Sequence, residues 1–132
     1  MRIPRALLEE IVAHGREDAP NECCGMIGAR EGQATSLYRA RNADASPLRY
    51  TVHPQDQLRI MEELEARGEE LAAIYHSHTG SAAYPSQTDI NLAENWPEPL
   101  YVICSVVEPD SPDVRAFAIR NGEVEEVAVD VE

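Results

Sequence analysis

The chain has 132 residues, 43% of them hydrophobic, enough to bury a core without disulfides or a structural metal, so one domain spanning 1–132 is expected. Its 24 acidic and 11 basic residues, every basic one an arginine, give a formal net charge of −13; no basic stripe is there to neutralise phosphates, which excludes nucleic acid as a partner. No run approaches the length of a membrane span and the opening residues lack a continuous apolar stretch, so no membrane association, no signal peptide and a cytoplasmic location are expected.

In chain order, Pro4 suits the first turn of a helix, and Leu7, Leu8, Ile11 and Val12 follow at helical spacing. His14 ends this helix, where its charge would suit the dipole on the surface. "CCGMIGAR" and "ATSLYRARN", split by Glu31-Gly32, read as two strands of a hairpin, and "RYTV" as a further short strand. His53, read as a surface residue, precedes Pro54, which opens a second helix with Leu58, Ile60, Met61 and Leu64 on one face and Gly68 as its stop. "LAAIYHS" is a buried strand, Ser86 caps a short third helix with Asp89 in its first turn, and "LYVICSV" is a central strand. "VRAFAIRNGEVEEVAVDV" closes the chain as a hairpin turned at Asn121-Gly122. Interleaved strands and helices make a mixed α/β (α+β) domain with one central mixed sheet flanked by helices.

Cys23, Cys24 and Cys104, odd in number and including an adjacent pair, are a poor disulfide framework and should be reduced thiols. The first two read as buried strand residues and not as ligands. The acid-rich, lysine-free composition fits either a salty cytoplasm, where screening relieves self-repulsion, or a genome that writes arginine for lysine. No spacing in the chain sets an oligomeric state.

The informative stretch is "YHSHTGSAAYPSQTDI", residues 75–90. A strand turns alternate residues to one face, so His76 and His78 point together while Ser77 points away. Paired histidines in a strand are often polar surface or buried hydrogen-bonders. If the following loop folds back to bring Asp89 to the same point, however, two nitrogens and one carboxylate oxygen converge with a fourth position open, the ligand count of a catalytic zinc and not of a closed structural site. Tyr84, within the stretch, and Trp96, beyond it, flank the site as substrate contacts, core or lid.

His-x-His, seven residues, Ser, two residues and Asp, with Glu-x-x-Gly upstream in "ECCG", resembles the JAMM (MPN+) metallopeptidase family. The resemblance covers most of the chain and implies an MPN/JAMM-like, cytidine-deaminase-like fold. It also implies Zn2+ held by His76, His78 and Asp89, a catalytic Glu22 working on water, and a Ser86 assisting the tetrahedral intermediate. Ser86 has a competing structural role as a helix N-cap. Where many members have proline after the second histidine this chain has Thr79. The stretch looks closest to small bacterial members that clip cysteine from the C-terminus of a ubiquitin-like sulfur-carrier protein, which would be the partner. Removal of ubiquitin-like proteins from lysine is the alternative, although a chain this compact has little room for the extra segments of large deubiquitinating relatives. A non-catalytic scaffold of the same fold would show decayed ligands, and all four chemical positions are intact. A zinc deaminase needs Pro-Cys-x-x-Cys, which the chain lacks.

Overall fold

The computed structural model describes residues Met1–Glu132. Strand β1 (Arg2–Ile3) leads into helix α1 (Arg5–Asp18), and β2 (Cys24–Arg30) and β3 (Gln33–Ala40) form the first hairpin. Helix α2 (Pro54–Arg67) and strand β4 (Glu70–His78) follow, then the short helix α3 (Gln87–Leu92), extended by a 3-10 turn over Ala93–Asn95. Strands β5 (Leu100–Ser105), β6 (Asp113–Arg120), β7 (Glu123–Val127) and β8 (Asp130–Val131) complete the chain. The mixed sheet has the order β7-β6-β5-β4-β2-β3-β1-β8. β4 runs parallel to β5 and antiparallel to β2, so its neighbours cover both edges, and it is buried from Ala73 to His78. No helix is long and apolar enough to cross a membrane.

The two ends of the sheet nearly meet. β7 and β8 stand at opposite ends of the strand order, yet only Ala128 and Val129 separate them in sequence, so the sheet must curl on itself. The contact is fixed by the amino group of Met1, which donates to the Ala128 carbonyl at 2.6 Å, and by Asp130 N–H, which donates to the Met1 carbonyl at 2.8 Å. The final hairpin is turned at Asn121-Gly122 as the sequence predicts. Its second strand is shorter than the alternating pattern suggests, because residues 130–131 leave β6 to pair with β1. "RYTV" likewise forms no strand of its own, only an isolated bridge between Asn42 and Val52.

Two cores lie on the two faces of the sheet. On one face α1 packs through Ile11 against Ile27, Tyr75, Val102 and Cys104; on the other, Ile60 and Leu64 of α2 meet Met26, Ile74, Ile103 and Phe117. Alternation along β4 therefore sends Tyr75 to the α1 core and Ile74, and with it His76 and His78, to the α2–α3 side. Asp56, Ile60 and Leu64 form the buried stripe of α2, whereas Leu58 is 63% exposed and Met61 37%. Asp56 turns inward because it accepts from both the backbone and the guanidinium of Arg41, which rotates the apolar pair at i+4 and i+8 onto the sheet. His14 is also inside and not on the surface: its Nδ1 lies 2.7 Å from the Tyr75 hydroxyl. His53 is half-buried and caps α2, accepting from Gln55 N–H.

Tyr75 explains the glycine of the Glu-x-x-Gly motif. A Cβ on Gly25 would fall against the Tyr75 ring and the Tyr38 carbonyl oxygen, closer than real Cβ atoms approach. The neighbouring strand backbone cannot easily yield, so overpacking of about 1–3 kcal/mol is expected for Gly25→Ala. Thermal melting should show a clear fall in Tm, and an unchanged Tm would mean the ring is free to move aside.

Candidate active site

The end of β4 and the start of α3 make one cluster. Ser86 Oγ accepts from Asp89 N–H at 3.1 Å while Asp89 Oδ2 accepts from Ser86 N–H at 2.9 Å, a reciprocal capping box that fixes the acid in the first turn. The same Oδ2 lies 3.2 Å from His76 Nε2 and 3.0 Å from His78 Nε2, and the two nitrogens are 3.2 Å apart. All three residues are buried. His78 Nδ1 donates to the Ala82 carbonyl at 2.8 Å, which sets the tautomer and leaves the Nε2 lone pair facing the centre.

Converging lone pairs repel unless a proton or a metal ion lies among them. A tetrahedral centre with ligands at roughly 2.0–2.1 Å separates its donor atoms by about 3.3 Å, and the observed triangle is close to that in every edge. The residues thus fit a metal ion held by two histidines and one carboxylate. Burial would raise the Asp89 pKa, but the two imidazoles close to Oδ2 outweigh it and hold the carboxyl well below its ordinary range, so the centre has an anionic oxygen. Burial lowers the His76 pKa, while at His78 the bonds to Asp89 and Ala82 overcome burial and raise it. His76 Nδ1 is buried without a partner.

A cleft of about 220 Å³ opens beside this cluster, lined by Glu22, Leu48, His78, Gly80 and Ser86 among others. Glu22 precedes β2, is 4% exposed, and leaves Oε1 without a hydrogen-bond partner. Burial pushes its pKa up to about 7, with His78 pulling the other way. A buried carboxyl with an uncommitted oxygen, facing a cleft beside the His76, His78 and Asp89 cluster, has the chemistry of a proton acceptor and donor. Ser86 lines the same cleft, and its capping role does not use up its hydroxyl. The cap uses a lone pair of Oγ, so the O–H remains able to donate.

Four of the five residues singled out from the sequence line or form this site through side chains that are buried, and the fifth, Ser86, is exposed at its mouth. Tyr84 and Trp96 do not line the cleft. Tyr84 is 57% exposed with its ring edge-on to Phe117, and Trp96 borders a separate apolar cavity of about 130 Å³ with Met26, Ile74 and Tyr101. Cys23 and Cys24 are buried free thiols, and burial pushes Cys23 up to about 12 and Cys24 further. One contributor is absent from the motif: the Tyr50 ring stacks on His76, centroids 4.3 Å apart and planes 20° from parallel. No spacing rule ties Tyr50 to the histidines, since it arrives from a loop.

Residues 4–120 match the family model described as prokaryotic homologs of the JAB domain. The chain belongs to the prokaryotic JAB family, the small JAMM/MPN proteins. It is 37% identical over 127 residues to the CysO-cysteine peptidase of Mycobacterium tuberculosis, covering 95% of this chain and 86% of that one. To the "Probable TtuB-protein conjugate cleaving protease" of Thermus thermophilus it is 38% identical over 122 residues, covering 92% and 77%. The solution structure of DSY2949 from Desulfitobacterium hafniense superposes with a TM-score of 0.90 at 31% identity, over 100% of this chain and 93% of the other. This JAB protein is a hydrolase of peptide or isopeptide bonds, in keeping with its peptidase relatives and its three-ligand centre.

If this group holds a metal ion, removing one of the three donors should weaken its binding. His76→Ala and Asp89→Ala are expected to lose tight binding of a divalent metal, measured by elemental analysis after desalting, while circular dichroism stays near that of the parent; metal retained at parent stoichiometry in both would place the ion elsewhere.

Proposed function

We propose that residues 1–132 act as one zinc-dependent peptidase domain that cuts the peptide bond following the C-terminal Gly-Gly of a ubiquitin-like sulfur-carrier protein, releasing a single amino acid, cysteine. The observation that carries this reading is the meeting of His76, His78 and Asp89 beside a cleft that His78 lines together with a buried, unpartnered Glu22. The relative named CysO-cysteine peptidase supports the substrate class. His76, His78 and Asp89 would hold the zinc, which when bound supplies Lewis acidity for the carbonyl and acidifies a water near neutral pH. The three reduced thiols suit work in the cytoplasm.

Each residue of the chain then has a chemical task. Glu22 accepts a proton from the attacking water as its oxygen bonds to the carbonyl carbon, and returns that proton to the amine nitrogen as the C–N bond breaks. Its unpartnered Oε1 leaves an oxygen uncommitted for this. Ser86 O–H donates to the oxygen on which negative charge develops; loss of such a donor typically costs about 10²–10³ in rate. Asp89 would give the ion one carboxylate oxygen, which lies 3.2 Å from His76 Nε2 and 3.0 Å from His78 Nε2. The carrier tail must enter the cleft extended, and glycine before the cut avoids a side chain between backbone and centre.

Cleavage of protein conjugates at lysine is the second reading, favoured by the relative whose name is a TtuB-protein conjugate cleaving protease. Intact mass of carriers bearing C-terminal extensions, set beside lysine-linked conjugates, decides between them. Glu22→Gln is expected to keep about one zinc per chain and lose turnover; parent-level activity in that variant would remove Glu22 from the proton transfer. Replacing the last glycine of the carrier by valine should lower kcat/KM at least about tenfold, a barrier change of roughly 1.4 kcal/mol. Equal processing of both carriers, or cutting confined to lysine linkages, turns the assignment to the isopeptidase.

A further inference from the structure

The loop between β3 and α2 contains the one contributor that the motif does not predict, Tyr50, and it is organised by a single side chain. Asn42 Nδ2 donates to the Glu22 carbonyl and to the Arg49 carbonyl, both at 3.0 Å. Asn42 Oδ1 accepts from Asp44 N–H at 3.0 Å and from Thr51 N–H at 3.1 Å. A carboxamide has two donors and two acceptor sites, so its capacity is used in full, and donors facing carbonyls with acceptors facing N–H groups fix which way it is turned. The bonds to Arg49 and Thr51 bracket Tyr50, the residue whose ring stacks on His76. The bond to Glu22 grips the backbone of the carboxyl that faces the cleft. Glu22 N–H in turn donates to the Ser46 carbonyl of the same loop at 2.9 Å, so the loop holds Glu22 from both sides.

We infer that Asn42 is a positioning residue for the hydrolysis: through one carboxamide it sets the backbone of Glu22 and the Tyr50 ring that backs His76, tying the proton-transfer group and a metal ligand to a common frame. Asn42 lines no part of the cleft, so it acts through these two residues and not on the substrate. This rests on the proposed role of Glu22 and goes beyond it. Orienting a general base depends on fractions of an ångström, and misplacement by about 1 Å can cost a hundredfold in rate. Binding of the carrier tail by the cleft walls is little affected by that error. The signature of the role is therefore a fall in kcat with KM preserved, together with weaker zinc binding where His76 loses its backing.

The test compares Asn42→Ala with Thr51→Val. The second variant removes the Thr51 Oγ1 to Asp44 hydrogen bond of 2.6 Å and loosens the same loop, while leaving every bond of Asn42 in place. Steady-state kinetics on a conjugate that the parent cleaves should show kcat down at least about tenfold for Asn42→Ala with KM within about twofold, and parent kcat for Thr51→Val. Competition between zinc alone and a chromophoric chelator should show a raised dissociation constant for Asn42→Ala only. Should the alanine variant not fold, Asn42→Asp, which keeps both acceptor bonds and loses both donor bonds, takes its place with the same expectations. Parent kcat in the Asn42 variant, or an equal loss in Thr51→Val, overturns the inference. Failure of the parent to cut any carrier tail rejects the substrate reading instead, and the zinc competition still decides whether Asn42 supports His76, an unchanged constant counting against it.

Discussion

The register of β2 against β4 is the constraint on which the site depends. Cys24 lies opposite His76, and just beyond the ladder Ser77 N–H donates to the Cys23 carbonyl while Cys23 N–H donates to Ser77 Oγ at 2.8 Å. That pairing delivers Glu22, one residue upstream, to the cleft that His78 lines. A slip of one residue would turn both histidines into the α1 core and carry Tyr75 to the α2–α3 side, because a strand alternates its faces. The register is protected by the cores themselves. Tyr75 fits only over Gly25 and bonds to His14, so the wrong face cannot be exchanged for the right one without burying an imidazole where a phenol ring belongs.

Polar groups on the two faces have different duties. Toward α1, His14, Tyr75 and Ser77 satisfy one another or the backbone, and a buried polar group with partners costs little. Toward α2 and α3, Glu22 and His76 each leave a buried polar atom unpaired. An orphaned group of that kind carries a penalty of about 1–3 kcal/mol. Glu22 stands in the cleft where a substrate or water can meet its need, which is where such a penalty has a chemical return. Cys23 and Cys104 fall on the α1 side of this division and Cys24 on the other, and burial raises the pKa of all three and keeps them protonated.

Most of the centre is legible in the sequence because strand alternation and a helix cap are local rules. His76 and His78 follow from a period of two, and Asp89 from its place three residues after Ser86. The loop at residues 41–53 is not legible. Its order comes from the Asn42 carboxamide, which joins four backbone groups on residues 22 to 51, and no periodicity reports such a knot. For the same reason "RYTV" resembles a strand while Tyr50 serves as a platform for His76. α2 shows the other limit: Leu58 and Met61 match a helical stripe as well as Ile60 and Leu64 do, and it is the inward pull of Arg41 on Asp56 that selects the face. His14 reads as a surface residue in sequence because a helix end near a dipole says nothing of the tyrosine waiting across the sheet.

The capping box has a consequence for how α3 responds to the ion. Six residues are too few for a helix to persist unaided, so α3 depends on Ser86, on packing and on Asp89 staying in place. Asp89 Oδ2 is at once the cap acceptor and the oxygen shared by both imidazoles. An ion held there would make local helix order and ion occupancy linked equilibria, each strengthening the other by the same free energy. Fraying of the first turn would act as an off-switch for the ion, and a loaded centre would slow amide exchange through residues 86–92 without touching any of their side chains but one.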